Sequence, residues 1–181
     1  MYKIFFNWPR NTFVTSRIFF PKNLKELKKN INNKNFITYG NGKSYNDGGL
    51  NKKNLISLKY FNQIINFNYQ EGILTVQAGA ILGDILPKIV ERGWFIPTTP
   101  GTKYVSIGGM VANNIHGKNI KKNTIKNHIK SIDLLLPNKK IVKCSSNVKS
   151  DIFDLTVGGF GLTGIILSVK IKLKKINSNL I

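Results

Sequence analysis

One cysteine, Cys144, stands in the 181 residues, so no internal disulfide forms and no cysteine-based metal cluster is possible. A reducing, cytoplasmic setting fits that count. Histidine is nearly as scarce, with only His116 and His128, and there are 8 acidic residues. Such a set offers no Ser-His-Asp arrangement and no metal-ligand cluster. Arginine is limited to Arg10, Arg17 and Arg92, although Lys+Arg total 28 and the formal net charge is +20. The arginine fork that serves base-edge and phosphate recognition is therefore rare. The lysines are dispersed among abundant Asn and Ile, which resembles a bias toward A+T-rich codons more than a basic stripe. No specific nucleic-acid partner is expected. Long apolar runs are absent too. Residues 1–20 are aromatic and basic, but Asn7, Pro9, Arg10, Asn11 and Ser16 interrupt them. They lack the apolar core of a signal peptide and are too short for a transmembrane segment.

What is present is a globular composition, 41% hydrophobic and 20% charged, in a chain of one-domain length. Residues 1–20 read as an irregular or extended lead-in. Pro21 opens a helical pattern with Leu24, Leu27 and Ile31 on one face. Residues 36–39 and 54–58 read as strands, and 64–69 with 73–77 form a hairpin around Glu71-Gly72. An amphipathic helix spans 81–92 and stops at Gly93, with Pro87 marking a kink or a later start. Residues 129–136 and 141–144 form a second hairpin around Pro137-Asn138, with Cys144 as packing. Residues 152–157 make a short helical turn. Residues 165–173 alternate Ile165, Leu167, Val169, Ile171 and Leu173 against Ile166, Ser168, Lys170 and Lys172, a strand signal. The last residues, 176–181, start no new element. The sum is an α+β domain with mixed sheets.

Three glycine-rich segments punctuate this pattern. Residues 40–48 read Gly-Asn-Gly-Lys-Ser-Tyr-Asn-Asp-Gly directly after a strand. Consecutive backbone N–H groups with a serine hydroxyl are the donors that a phosphate or pyrophosphate needs. The spacing is not that of a Rossmann loop, whose third glycine would fall on Tyr45, nor of a Walker loop, whose first glycine would fall on Ile37. An Asn-Gly and Asp-Gly turn pair is the plain alternative. Residues 97–119, PTTPGTKYVSIGGMVANNIHGKN, hold four glycines and a run of small residues, and read as one long loop. Residues 157–164, VGGFGLTG, supply four more glycines ahead of a strand. Singly, the first is a weak signal, and the central segment is as consistent with a surface turn as with a ligand loop. Together, at strand or helix ends and irregularly spaced, they suggest backbone converging on one extended ligand.

The three motifs also resemble the flavin-binding domain of the p-cresol methylhydroxylase/vanillyl-alcohol oxidase superfamily. The likeness is nearest to its decaprenylphosphoryl-ribose oxidase branch, beside aldonolactone and alditol oxidases. Those proteins carry G-x-G-R-S-Y-G-D, then P-G-T-x-x-V-x-V-G-G-x-I-A-x-D-I-H-G-K-N, then T-V-G-G-x-G-L-T-G-I-I. Here the matching stretches read GNGKSYND, PGTKYVSIGGMVANNIHGKN and TVGGFGLTGII. Order and spacing agree from about Trp8 to Leu173. The resemblance implies an α+β FAD-binding domain of the PCMH type, two small mixed sheets with flanking helices, over residues 21–176. Residues 1–20 would precede it and 177–181 would trail it.

FAD would be held by Thr38, Tyr39, Gly40, Asn41, Gly42, Lys43, Ser44, Tyr45, Asn46, Asp47 and Gly48 around the pyrophosphate. Gly101, Ser106, Ile107, Gly108, Gly109, Asn113, Asn114, Ile115 and His116 would line the rest, with Ile166 packing on it. Tyr45, His116 and Lys118 are the substrate-pocket candidates; a merely solvated lysine is the plain reading of Lys118. Asp47 could instead brace the first loop, and His128 has no motif around it.

The implied reaction is hydride transfer from a carbinol of a sugar, polyol or lactone, possibly lipid-linked. Two departures stand out. Lys43 occupies the place of the histidine that carries covalent flavin in some relatives, so non-covalent FAD is expected. Asn114 replaces the usual aspartate. The family also continues into a substrate domain beyond the final strand. The expectation is therefore a chain incomplete without that domain or a partner chain supplying it. The alternatives are a non-catalytic FAD-binding subunit or remnant and, more distantly, a polyanion-binding basic domain.

Overall fold

The computed structural model describes residues 2–31, 35–117 and 124–177. Two sheets make the frame. The first contains β1 (Tyr2–Phe6), β2 (Phe13–Phe19), β3 (Ile37–Tyr39) and β4 (Asn54–Ser57), in the order β1-β2-β4-β3. β1 and β2 are antiparallel, whereas β4 runs parallel to both β2 and β3. The second contains β5 (Ile64–Asn68), β6 (Ile73–Gln77), β8 (Ile129–Leu135), β9 (Ile141–Cys144) and β10 (Ile165–Lys172), in the order β5-β6-β10-β8-β9. It is antiparallel throughout, so only the first of the two small sheets is mixed. A short ribbon pairs β7 (Trp94–Phe95) with β11 (Lys174–Lys175).

The aromatic lead-in is extended, as its composition suggests, but it is not irregular. Tyr2 pairs with Arg17 and Phe6 with Phe13, making a hairpin whose second strand joins the first sheet. Helix α1 (Leu24–Asn30) starts three residues past Pro21, because Asn23 caps it. The Asn23 side chain accepts the Glu26 N–H at 2.9 Å, and the Glu26 carboxylate accepts the Lys22 N–H at 2.8 Å. The first bond satisfies a backbone donor that an uncapped first turn leaves free, and the second ties down the residue before the cap. Leu27 and Ile31 are buried beneath it.

Helix α2 (Leu82–Val90) runs through Pro87 and buries Leu82, Ile85 and Ile89. Gly93, at φ +78°, turns the chain away from it. Helix α3 (Ile107–Ala112) lies inside the stretch that the glycines make look like a loop. Helix α4 (Ser150–Thr156) buries Phe153 and Thr156. Among the described residues no helix is long and apolar enough to cross a membrane.

The core lies against the second sheet, where Leu74, Val76, Ile132, Leu134, Val169 and Ile171 are inaccessible to solvent. Cys144 joins it, and burial followed by the Asp133 carboxylate holds its thiol above its ordinary pKa. A protonated, buried thiol packs like a small hydrophobe. Strand β10 departs from simple alternation. It bulges between Ile166 and Ser168 against β8, which makes Leu167 the extra residue. The Leu167 carbonyl takes the Ala78 N–H at 2.9 Å. Ile166 is consequently buried although the period-2 pattern assigns it to the polar side.

His128 ends a 3-10 turn (Ile125–His128), and its Nε2 is buried with no hydrogen-bond partner among the described residues. Burial holds its pKa below the ordinary 6.5. The unfolded chain therefore takes up a proton more readily than the folded one. This contribution to stability is present above the unfolded pKa and is lost as pH falls through the folded value. In denaturant titrations between about pH 7 and 5, His128→Gln should flatten the decline of the unfolding midpoint seen in the parent.

Candidate cofactor cleft

A cleft of about 550 Å³ opens between the two sheets. Lys3, Phe5, Phe6 and Trp8 of the N-terminal hairpin form one wall, Ala78, Gly79 and α3 another, and Ile166 of β10 part of a third. The three glycine-rich segments meet around it.

The first segment leaves β3 at Tyr39. A Cβ on Gly40 would stand 2.6 Å from Ser106 Oγ, so only glycine lets the two loops lie this close. Asn41 Nδ2 donates to the Tyr104 carbonyl at 2.8 Å, a second tie to the central segment. Gly42 turns through φ +63° beside Tyr39, which packs edge-on to Phe5 at 5.2 Å. Burial raises the Tyr39 phenol above its ordinary pKa, so it remains neutral. The N-terminal hairpin clasps the outer side of this loop. Trp8 N–H donates to the Ser44 carbonyl at 2.8 Å, and the buried Asn7 donates from Nδ2 to the Tyr45 carbonyl at 3.1 Å. The Asn7 Oδ1 meanwhile accepts the Thr12 N–H at 3.1 Å, and the Lys43 ammonium lies 4.0 Å over the Trp8 ring.

The central segment is ordered by Ser106, whose Oγ accepts the Gly109 N–H at 3.2 Å and caps α3. The Gly108 N–H donates to the Ala78 carbonyl at 2.7 Å, pressing the helix onto the end of β6. The third segment docks on the far end of α3. Gly158 N–H donates to the Val111 carbonyl at 3.0 Å and Phe160 N–H to the Ala112 carbonyl at 2.9 Å. A Cβ on Gly48 would lie 2.9 Å from the Phe160 ring, so the third segment also reaches the first. Each pair of segments is in direct contact.

Of the residues expected at the cofactor, Thr38, Tyr39, Gly40, Asn41, Gly42, Lys43, Ser44, Tyr45, Asn46 and Gly48 line the cleft. So do Gly101, Ser106, Gly108, Gly109, Asn113, Ile115 and Ile166. Four do not line it. Ile107 is buried in the core. Asp47 is exposed, and its backbone carbonyl accepts the Leu50 N–H. Asn114, at φ +41°, turns its Oδ1 to the Lys126 N–H at 3.4 Å. His116 is exposed, with its backbone bridged to Thr124. Lys118 lies outside the described residues. Phe5, Asn7 and Trp8 also line the cleft, although no motif in the sequence marks them for it; the signal for the hairpin that carries them is the alternation of Tyr2, Ile4 and Phe6 before an Asn-Trp-Pro-Arg-Asn turn.

Two features of the wall fit a phosphate-bearing, partly apolar ligand. Among the described residues, the backbone N–H groups from Asn41 to Tyr45 find no protein acceptor. Thr38 Oγ1 is buried in the cleft wall without a hydrogen-bond partner. Unpaired donors gathered on one loop suit a pyrophosphate, and Leu58, Val105, Met110 and Ile166 offer an apolar bed for flat rings.

Comparison with known proteins agrees with that chemistry. A family model described as FAD binding domain matches residues 16–145. The chain belongs to that family. Decaprenylphosphoryl-beta-D-ribose oxidase of Mycolicibacterium smegmatis is 35% identical over 140 residues, covering 76% of this chain and 30% of the relative. L-gulonolactone oxidase of Bos taurus is 24% identical over 174 residues, covering 93% of the chain and 40% of that protein. D-lactate dehydrogenase of Anaerostipes hadrus is 27% identical over 124 residues, 65% of the chain and 26% of the relative. This FAD-binding domain therefore spans less than half the length of these curated relatives.

The clasp on the first loop gives a direct test. Asn7→Ala removes the donor to the Tyr45 carbonyl and the acceptor for Thr12, freeing the loop. FAD affinity, followed by flavin fluorescence, should weaken about tenfold, the equivalent of losing one net hydrogen bond at ~1 to 1.5 kcal/mol.

Proposed function

We propose that this chain is the cofactor-holding part of an FAD-dependent oxidoreductase that acts on a CH–OH group of a sugar, polyol or lactone. What carries the reading is the meeting of three glycine-rich segments on one cleft whose wall holds unpaired amides and the orphaned Thr38 hydroxyl. Bound there, FAD supplies a two-electron acceptor for the hydride released from the carbinol carbon. The chain's own groups bind and orient it. The amides from Asn41 to Tyr45 and Thr38 Oγ1 would take the pyrophosphate, and Gly108, Gly109, Asn113, Ile115 and Ile166 would line the ring systems.

Tyr45, 78% exposed among the residues lining the cleft, would meet substrate at the entrance, and His116 and Lys118 join it in this reading. The names of the oxidase relatives support a sugar, lactone or lipid-linked sugar substrate. The flavin would be non-covalent. Position 43 carries a lysine, and its ammonium is engaged with the Trp8 ring.

Since the relatives are far longer, a further domain or a partner chain would supply the rest of the substrate pocket. That difference in length also favours a second reading, a non-catalytic FAD-binding subunit. Purified chain reconstituted with FAD should be yellow, and acid precipitation should leave the flavin in the supernatant. Flavin remaining in the pellet would overturn the non-covalent assignment. Anaerobic bleaching of the flavin absorbance by a sugar alcohol or aldonolactone is expected once the completing domain is present; a flavin that no such substrate reduces would favour the non-catalytic subunit.

A further inference from the structure

The N-terminal hairpin has two faces, and only one serves the cleft. Lys3 and Phe5 look toward the cleft, where they line its wall. Cross-strand partners in an antiparallel pair share a face, so Tyr2 with Arg17, Ile4 with Thr15 and Phe6 with Phe13 alternate onto the other side, with Phe6, next to the hairpin tip, still bordering the cleft. There Tyr2 is 69% exposed, Ile4 58% and Phe13 63%. β1 is an edge strand, and no other strand among the described residues covers it. Tyr2 and Ile4 at alternate positions of β1, with Phe13 across the ladder on β2, thus make an exposed apolar stripe, an uncommon feature on a soluble surface.

Cations border the stripe. The Arg10 guanidinium lies 4.4 Å over the Phe6 ring, and that of Arg17 lies 4.7 Å over Phe19. Lys52 and Lys53 are exposed, and the Lys53 carbonyl accepts the Arg17 N–H at 3.2 Å. Residues 1–25 contain no Asp or Glu, although two of the chain's three arginines fall there. Trp8, 44% exposed, stands at the hairpin tip.

We infer that this outward face docks on an anionic lipid bilayer, with Tyr2, Ile4 and Phe13 entering the interface and Arg10 and Arg17 meeting headgroup phosphates. The charge pattern is complementary to such a surface, and apolar insertion with arginine contacts gives more than electrostatics alone. Aromatic residues with a polar edge settle at headgroup level. Ile4 at the centre of the stripe separates this reading from single-stranded nucleic acid, whose platforms stack bases on aromatic rings. The cleft lies on the opposite face of the same hairpin, so docking would leave the first glycine loop clear of the lipid.

The test uses the FAD-loaded chain and sedimentation with vesicles of phosphatidylcholine containing phosphatidylserine. The variant Tyr2→Ser/Ile4→Ser/Phe13→Ser keeps the +20 charge, and its FAD affinity, unchanged because these residues lie outside the cleft wall, certifies its fold. Vesicle binding should fall about tenfold or more, as expected from losing three buried apolar side chains. Should that variant lose FAD, Tyr2→Ser/Ile4→Ser, which also keeps the charge and leaves the Phe6–Phe13 ring contact in place, takes over with the same expectation of weakened vesicle binding. Equal binding by variant and parent would overturn the proposal, since net charge alone would then account for it. A variant that keeps vesicle binding but loses affinity for a single-stranded oligonucleotide would overturn it in favour of nucleic acid. Because vesicle binding is read separately from flavin reduction, this proposal and the proposed function fail independently.

Discussion

Close approach of backbone to backbone is the constraint on which the cleft depends. Ser106 Oγ lies only 2.6 Å from where a Gly40 Cβ would stand, and the Gly108 N–H reaches the Ala78 carbonyl at 2.7 Å. Gly48 leaves room for the Phe160 ring, which itself is held at φ +53°. These contacts draw three segments far apart in the chain into one rim. They also bring chain elements to the ligand side with few large side chains in the way, so the unpaired amide groups of the first loop lie at the cleft alongside the Lys3 and Lys43 side chains. Glycine costs conformational entropy on folding. Here the ties from Asn7, Asn41 and Ser106 offset that cost by fixing the loops before any ligand arrives.

The hairpin at the N-terminus is more than a leader to this assembly. Its tip holds the first loop from outside through the Trp8 amide and the Asn7 side chain. Its inner face supplies Phe5 against Tyr39, and its outer face carries the apolar stripe. One two-stranded element thus couples the shape of the cleft to a surface facing elsewhere. The large positive charge is otherwise spread over the surface: the ion pairs from Lys126 to Asp154 at 3.0 Å and from Lys143 to Asp133 at 3.8 Å are both partly exposed. Such pairs contribute little to stability.

Much of the architecture was legible in local pattern. The hairpins around Glu71-Gly72 and Pro137-Asn138, the amphipathic helix ending at Gly93 and the alternating last strand each follow from a period and a turn residue. α3 was not legible, because Gly108 and Gly109 are poor helix formers and the stretch around them has the composition of a loop. It exists because Ser106 caps it and because Ile107, Met110 and Val111 have a core to enter. The aromatic start was likewise obscured by Trp8-Pro9-Arg10, which is in fact the turn of a hairpin. The bulge at Leu167 broke the period of β10, and nothing local announces it, since it arises from pairing with β8.

Residues 40–48, 97–119 and 157–164 were marked by composition as backbone-exposing segments, and their order and spacing were enough to indicate an FAD-binding domain. That much lies in the sequence, because glycine's missing side chain is a local property and motif spacing is written along the chain. Which residues of those segments face the cleft was decided only by tertiary structure. Asn113 lines it, while its neighbour Asn114 turns to the Lys126 amide. Asn7 became part of the clasp only when the hairpin folded against Tyr45. The physical reason is that a side chain's direction is set by the turn it occupies and by the partner that satisfies it, and both lie across the fold.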